Sequence, residues 1–400
     1  MSRVELRTAS AWCVLVVGLL TGVSLLAQNW QPVIAQLRDP QKGRRLDAIK
    51  QLHAAGYVPS AEFIAPLVTD PDDDVQAAAI DATLTFFLIE PIGERGNRSR
   101  AQEAFDAGPL ARSATPAPDI LIDQLITATA DRNARIRFDA IHALGLIGEP
   151  VLGVEETRRL MAGLQHPDPV IRTATARVLG RLRAASAGDA LVGSLNDPSE
   201  LVQTYATEAL GLVRNDRAVQ ALTDRLNYYG KGPMANAAAL ALARIGYASS
   251  RDLFRARLAD ADAAMRRAGV EGLGRLRDRA SLERIRALAQ TDPSSEVRLA
   301  GLFALDRLGE PQAAGLSIAL TQQGLGFQSR DYLLEIGPGA APAVLTAILQ
   351  SKDPASRFWL VHLLGYVGGA AEASALEPLT RDADAHVARA AANAIARLRR

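Results

Sequence analysis

One segment of the sequence indicates the architecture of the whole chain: DPSSEVRLAGLFALDRLG, residues 292–309. It begins with Asp292, reaches the apolar Val297 five residues later, and has Leu305 eight residues after that. The apolar residues between them recur at helical spacing. The segment is therefore predicted to form one amphipathic helix with the aspartate in its N-terminal turn.

The same pattern recurs along the chain, as in 131–148 (DRNARIRFDAIHALGLIG), 197–213 (DPSELVQTYATEALGLV) and 260–276 (DADAAMRRAGVEGLGRL). Between these blocks lie shorter amphipathic segments, such as DRAVQALTDRL at 216–226, which predict a partner helix for each block. The apolar residue near each block's start serves as a mark. Most marks are about 31 residues apart, and they are Arg44, Val75, Ile136, Ile171, Val202, Met234, Met265, Val297, Phe327, Ser356 and Val387.

Helix pairs of this size cannot bury their apolar faces alone, so neighbouring pairs must stack on one another. The fold class is therefore predicted to be all-α: an α-solenoid, a right-handed superhelix of about eleven helix pairs. A length of 400 residues also exceeds what a single hydrophobic core holds. The register is weakest at Arg44, Phe327 and Ser356.

The predicted organisation has four parts. Residues 1–27 form a signal peptide or membrane anchor, 28–89 two repeats, 90–118 an irregular insert rich in Gly, Pro and Arg, and 119–400 the third to eleventh repeats. The insert explains the 61-residue step between two marks. The sequence allows this insert to be either a loop or an eroded repeat. Its role could be to bind a partner, or it could simply be mobile.

The N-terminus predicts export. Arg3 and Arg7 precede an uncharged apolar run at 11–27, the order read by secretion machinery. Cleavage after Ala27 and retention as an anchor both remain open, because 17 residues is short for a membrane span. We expect the repeats to lie outside the cytoplasm, whether periplasmic, secreted or anchored. Cys13 is the only cysteine, so the exported part holds no disulfide.

The repeats resemble HEAT repeats, particularly the short HEAT-like repeats of phycobilisome lyases. In that family an aspartate before the second helix and an arginine six residues later form a ladder of hydrogen bonds along the stack. The resemblance implies this structural role for four pairs: Asp39 with Arg45, Asp131 with Arg137, Asp260 with Arg266, and Asp292 with Arg298. The ladder is expected to break where the pattern departs, at His166, Gln76, Gln203 and Ala388.

Residues for catalysis are missing from the pattern. No dinucleotide fingerprint, phosphate loop or nucleophile elbow occurs. The five histidines are dispersed and none precedes a glutamate, unlike the di-iron site of deoxyhypusine hydroxylase, another HEAT-like protein. Asp70, Asp72 and Asp74 lack the glycine and glutamate of a calcium loop. We predict no enzyme activity, cofactor or metal site.

The concave face is the predicted working surface. Counting six residues from each mark gives a row of side chains expected to be exposed there: Lys50, Asp81, His142, Arg177, Glu208, Leu240, Glu271, Phe303, His362 and Asn393. Charges of both signs alternate in the row, and 45 basic residues balance 44 acidic ones overall, which disfavours nucleic acid. Aromatic anchors favour protein binding. The candidate partner-binding residues are Tyr228, Tyr229, Lys231, Phe303, Phe358, Trp359 and His362.

The leading hypothesis is a non-catalytic scaffold that binds a protein or peptide at the cell envelope. Two alternatives stay open. One is a lyase-type accessory protein acting on a chromophore or a modified protein, and the other is a polysaccharide-binding envelope protein. The second would be favoured if Tyr228, Tyr229 and Trp359 were exposed on one face. For each aromatic residue, packing against neighbouring helices is also open.

Overall fold

The computed structural model describes residues 29–89, 98–148 and 153–400. Within these ranges the regular structure is helical, and one isolated antiparallel bridge pairs Leu88 with Arg112. The segment at 1–27 and Cys13 lie outside the described residues. The chain divides into two compact units, Met1–Phe86 and Phe87–Arg400.

Short 3₁₀ turns join many of the helices. In the first unit the helices are α1 (Gln31–Gln36), α2 (Lys42–Ala54), α3 (Ala61–Ile64) and α4 (Asp73–Phe86). In the second unit they are α5 (Arg100–Ala107), α6 (Asp119–Ala128), α7 (Ala134–Ile147), α8 (Val154–Met161), α9 (Pro169–Arg181), α10 (Gly188–Gly193), α11 (Glu200–Val213), α12 (Val219–Tyr229), α13 (Pro233–Ile245), α14 (Arg251–Arg257), α15 (Ala263–Arg275), α16 (Leu282–Thr291), α17 (Ser295–Arg307), α18 (Ala313–Leu320), α19 (Gly326–Ile336), α20 (Ala341–Gln350), α21 (Pro354–Val367), α22 (Ala370–Leu376) and α23 (Ala385–Leu398).

The helices alternate between a first and a second member of a pair, and every mark of the sequence pattern lies in a second helix. These second helices are α2, α4, α7, α9, α11, α13, α15, α17, α19, α21 and α23. Marks such as Val202, Met265 and Val297 are buried. Two of the weak marks differ: Arg44 is exposed, and so is Phe327. The period therefore locates the helices, but in these two it does not locate the buried face.

The aspartate before most second helices acts in the turn and not in the helix that follows. Asp260 Oδ1 accepts a hydrogen bond from the backbone N–H of Asp262 (2.9 Å), which tightens the turn. Asp262 Oδ1 then accepts from the N–H of Ala264 (2.8 Å) and caps α15. The first aspartate therefore lies in the turn before the helix rather than in its N-terminal turn, and a second residue satisfies one of the helix's free N–H groups.

The second helices of the middle repeats stack on one another, from α9 through α11, α13 and α15 to α17. Small residues allow close contact. A Cβ placed on Gly274 of α15 would come within 2.7 Å of the Ala304 Cα of α17. Packing of α19 against α17 and α21 is less extensive. The stack is therefore regular up to α17 and irregular at the ninth pair.

The insert contains a helix of its own. Residues 90–97 lie outside the described residues, and α5 follows them, with the Ser99 hydroxyl accepting from the Gln102 N–H (3.3 Å) at its start. α5 packs on α7. The Gly108 backbone at φ +95° ends α5, and the chain then runs past Leu110 to α6.

Candidate functional site

The ladder lies along the edge formed by the turns between paired helices. Arg266 Nη1 donates to the Asp260 carbonyl oxygen (3.0 Å), while its Nε and Nη2 donate to the Asp292 carboxylate (2.7 and 2.8 Å). The Asp292 side chain is almost fully buried. One arginine thus ties its own turn to the turn of the following repeat.

The other three predicted pairs are also in contact, through the backbone of the aspartate. Arg45 donates to the Asp39 carbonyl (2.9 Å) and to the Asp70 carboxylate of the next repeat (2.9 Å). In the same way Arg137 donates to the Asp131 carbonyl (2.6 Å), and Arg298 donates to the Asp292 carbonyl (2.6 Å). The aspartate carboxylate is therefore used by its own turn and by the preceding repeat.

The expected breaks at His166 and Gln203 do not extend to the contact with the turn's own carbonyl, which forms at both positions. Arg172 donates to the His166 carbonyl (2.8 Å) and to both Asp197 carboxylate oxygens (2.7 and 2.8 Å). Gln203 Nε2 donates to the Asp197 carbonyl (2.6 Å). Any residue supplies a carbonyl, so His166 suffices as an acceptor, and an amide can replace the arginine as the donor. Ala388 has no side-chain donor, so a contact of this kind cannot form from it.

The concave row predicted to be exposed is largely covered in the second unit. His142 and Phe303 are fully buried, and Glu271 and His362 nearly so. Phe303 and His362 are therefore not partner-binding residues on an open groove, and this prediction was wrong. The covering groups come from α5, from α19 and from residues 112–114, as described next.

α5 covers the row at α7 and α9. The Phe105 ring is buried under the Arg181 guanidinium, 4.1 Å from its centroid, and its carbonyl accepts from Arg181 Nη1 (2.8 Å). The next residue, Asp106, accepts from Arg177 Nη2 (2.5 Å). The ring also meets His142 edge-on (5.2 Å), and burial lowers the pKa of His142 to about 4. An aromatic ring and an acid of the insert thus fill this part of the interior.

α19 covers the row at α15 and α17. Its Tyr332 ring stacks on Phe303 (4.4 Å between centroids), and its hydroxyl donates to Glu271 (2.6 Å). Glu271 also accepts from Arg267 (2.8 Å) and from Arg275 (2.8 Å). Burial alone would raise the pKa of the Glu271 carboxyl, but the two guanidinium groups outweigh it and hold that pKa well below its usual range.

Glu335, also on α19, extends this cluster to one further second helix, α11. It accepts from Arg275 Nη2 (3.0 Å) and lies 2.8 Å from Arg214 Nη2, at the end of α11. Arg214 has a left-handed backbone conformation (φ 56°), which is unfavourable for residues other than glycine. The ion pair with Glu335 is a contact that this conformation permits.

Residues 112–114 cover the last second helix. Arg397 Nη2 donates to the carbonyls of Arg112 (3.1 Å) and Ser113 (3.0 Å). The Ala114 N–H donates to Asn393 Oδ1 (2.5 Å), so the row position on α23 is covered as well. Segments from the first and last parts of the second unit are thereby joined by hydrogen bonds.

The exposed aromatic residues lie elsewhere. Tyr228 is 84% exposed and Tyr229 38% exposed, in the turn between α12 and α13. Gly230 and Gly232 have positive φ, and the exposed Lys231 lies between them. We call residues 228–232 the tyrosine turn. It lies at the place in the repeat where most other repeats have the ladder aspartate. The tyrosine turn therefore offers no aspartate carboxylate to an arginine of the preceding repeat.

A second aromatic group lies on α21. Phe358 is half-buried against Trp359 (5.1 Å) and His362 (4.4 Å), whereas Trp359 is 42% exposed. Burial lowers the pKa of His362 to about 3. Of the predicted candidates here, Trp359 is the one that a partner could reach readily.

Metal-ligating side chains are not clustered in the described part of the chain. No group of three or more His, Cys, Asp or Glu side chains there could hold a metal ion. One segment, Gly326–Gln350, is long and apolar enough to cross a membrane. It consists of α19 and α20 separated by Gly337 at φ +71°, and Glu335 within it is ion-paired, so it packs as repeat helices.

The helix pairs stack on one another, and arginines at the turn edge join neighbouring repeats. These features define the class of the protein as a helical-repeat protein. Residues 157–229 and 232–314 match the family model of HEAT repeats, and these two parts of the chain are HEAT repeats. HEAT repeats generally mediate protein interactions. No curated protein matches the chain in sequence.

Several solved structures are similar to the chain. An engineered protein has 17% identity over 85% of this chain and 99% of its own, with a TM-score of 0.38. The complex of CpcE and CpcF of phycocyanin lyase from Nostoc sp. PCC7120 has 18% identity over 77% and 100%, with a TM-score of 0.38. YibA of Escherichia coli has 16% identity over 68% and 99%, with a TM-score of 0.33.

Proposed function

We propose that this chain is a non-catalytic, exported HEAT-repeat scaffold that binds a protein at the cell envelope through the tyrosine turn. One observation carries the proposal. Tyr228 is 84% exposed beside Tyr229 and Lys231, whereas Phe303 and His362 of the predicted groove are buried by the chain's own residues. A partner of the folded chain therefore meets outer surfaces first.

The chemistry of the turn suits a protein partner. Tyrosine gives a large apolar contact at a small cost in side-chain entropy and carries a hydroxyl for a hydrogen bond. The two rings meet edge-on at 5.0 Å, so they present one joint surface. Arg225 lies 5.8 Å from the Tyr229 centroid and, with Lys231, gives the turn a positive rim. We expect a partner segment that offers apolar side chains and at least one carboxylate.

Export is part of the proposal because of residues 1–27. Their order of arginines followed by an uncharged apolar run is the order that directs a chain across a membrane. Without export, the chain would meet a different set of proteins. The location and the binding partner are therefore tested separately.

The binding surface is tested by photocrosslinking in the cell. A benzoylphenylalanine side chain replaces Tyr228 in one variant and Tyr247 in a matched control, since Tyr247 is 47% exposed but lies between α13 and α14. We expect a discrete crosslinked protein band from position 228 that is absent from position 247. Equal bands at both positions, or none at 228, would count against the tyrosine turn.

Export is tested by fractionating a Gram-negative host that expresses the chain with a C-terminal tag. We expect the tag in the periplasmic or membrane fraction and sensitive to protease after the outer membrane is opened. The control is Leu19→Arg, which places a charge in the apolar run. A wild-type chain that stays with the cytoplasmic markers would refute export and leave the binding test intact.

A further inference from the structure

In three second helices an arginine at the same position of the repeat contacts a distant part of the chain. Arg181, Arg275 and Arg397 each lie ten residues after a buried mark, in the last turn of α9, α15 and α23. Each guanidinium lies over an aromatic ring: Phe105 at 4.1 Å, Phe303 at 4.9 Å and Tyr366 at 4.1 Å, respectively. These contacts fix the direction in which each guanidinium points.

Each of these arginines also donates to a segment far away in the sequence. Arg181 donates to the Phe105 carbonyl, 76 residues away, and Arg275 to Glu335, 60 residues away. Arg397 donates to the Arg112 and Ser113 carbonyls, more than 280 residues away. A repeated position that holds carbonyl and carboxylate oxygens of non-neighbouring segments has the chemistry of a peptide-binding row.

Two of the three arginines hold the same segment, residues 99–114, which we call the plug. Its α5 end supplies the Phe105 ring and the Asp106 carboxylate, the latter bonded to Arg177 (2.5 Å). Its other end supplies carbonyls to Arg397 and the Ala114 N–H to Asn393 (2.5 Å). The plug thus contacts both α9 and α23, as a bound peptide lying across the interior would.

The interior is shaped to receive the plug. A Cβ on Gly145 of α7 would lie 2.5 Å from the Phe105 ring, so the absence of a side chain there makes the space for that ring. A Cβ on Gly108 would lie 2.5 Å from Arg330 Nη1, so the plug and α19 approach closely at that point. The plug is therefore anchored by an aromatic ring, an acid and a set of backbone carbonyls.

We propose that the plug occupies in cis a peptide-binding interior of the second unit, and that a partner segment of the same chemistry displaces it. That partner segment is a short helix with an aromatic residue followed directly by an acid, as in Phe105–Asp106. This surface is distinct from the tyrosine turn, so the inference goes beyond the proposed function. Tethering gives the plug an effective concentration near the millimolar range, so it suppresses weaker competitors.

The test uses a fluorescently labelled peptide with the sequence of residues 99–114 and the full chain. The wild-type chain is compared with a released variant, Phe105→Ala with Asp106→Ala, by fluorescence anisotropy. We expect the released variant to bind the peptide at least 10-fold more tightly than the wild type, because its own plug no longer competes. A peptide carrying Phe105→Ala should lose at least 10-fold in affinity for the released variant.

Two results obtained with the released variant would overturn the proposal. One is a released variant with wild-type helicity that binds the peptide no better than the wild type. The other is equal binding of the peptide and its Phe105→Ala form. If the released variant fails to fold, hydrogen exchange on the wild type decides. Amides of α5 should exchange at least 10-fold faster than those of α15 through local opening. Exchange of α5 at the rate of α15 would make the plug a permanent core element and refute the proposal.

Discussion

Arg266 and Arg275 lie nine residues apart on α15 and connect the chain over very different distances in sequence. Arg266, at the turn edge, bonds the Asp260 carbonyl and the Asp292 carboxylate, 6 and 26 residues away. Arg275, in the interior, bonds Glu271 and Glu335, the latter 60 residues away. The edge joins neighbouring repeats, whereas the interior joins parts of the second unit that the repeat period does not relate.

The two regions also differ in what they tolerate. At the edge one acceptor is a backbone carbonyl, which explains why His166 and Gln203 keep the contacts there. In the interior the acceptor is the carboxylate of Glu271, almost fully buried between two guanidinium groups. Among the other side chains only aspartate carries that charge, and it is one methylene group shorter. A substitution should therefore cost far more in the interior than at the edge.

The largest effect is expected from Glu271→Gln. The change is nearly isosteric but leaves Arg267 and Arg275 buried without their shared counter-charge, so the free energy of unfolding should fall by about 3 kcal/mol. The matched control is Glu296→Gln, since Glu296 also pairs with Arg267 (3.3 Å) but is more than half exposed. We expect that control to change stability by about 0–1 kcal/mol. Urea unfolding followed by circular dichroism measures both, and equal losses would contradict the distinction between interior and edge.

A smaller effect is expected at the edge from Asp292→Asn, which keeps an oxygen for the turn but removes the charge that Arg266 binds. The loss should be about 1.5–3 kcal/mol at pH 7, the range for hydrogen bonds to charged groups. The hydrogen bond from Arg266 lowers the pKa of Asp292. Its contribution is therefore present above the unfolded pKa of about 3.9 and is lost as the pH falls through the lower folded value.

The difference in unfolding free energy between wild type and Asp292→Asn should accordingly shrink below about pH 4. Denaturant unfolding at pH 7, 5 and 3 measures it. Asp382→Asn is the control, because Asp382 accepts one bond from Arg357 (3.1 Å) in place of the two that Asp292 accepts from Arg266. A difference that stays constant down to pH 3 would show that the carboxylate charge does not carry the contact.

The edge could be read from the sequence, because its residues recur with the period of the repeat. Aspartate and arginine six residues apart, with an apolar mark between them, locate the turns and the helices that follow. The interior could not be read in this way. A period tells which residues share a face, but not what covers that face, so it predicts Phe303 and His362 on an open groove, whereas both residues are buried.

The covering elements gave weak signals for a physical reason. α5 lies in an insert without the repeat period, and its Phe105 is one aromatic residue among many polar ones. α19 contains the weak mark Phe327, which is exposed. A signal that could have indicated the interior is the arginine ten residues after several marks, as at Arg181 and Arg275. A basic residue repeated one helical turn beyond the row expected to be exposed needs acidic or carbonyl partners from elsewhere in the chain.

The smallest effect, and the sharpest test of the edge, is a gain from His166→Asp. His166 Nδ1 accepts the turn bond from the Asp168 N–H (3.0 Å), as an aspartate does in other repeats, but it gives no carboxylate to Arg137 of the preceding repeat. Arg137 donates to the Asp131 and Arg132 carbonyls (2.6 and 3.0 Å). Because Arg172 and Arg266 bond the next turn's aspartate as well, the new carboxylate should add one net hydrogen bond, about 0.5–1.5 kcal/mol.

The gain should appear as a rise in the thermal midpoint of about 1–5 °C, measured by circular dichroism. In an Arg137→Ala background the same His166→Asp change should give no rise, because the new carboxylate then lacks the guanidinium that binds it. If the rise persists without Arg137, the stabilisation arises from the turn itself, and the carboxylates at the edge do not act through the arginine of the preceding repeat.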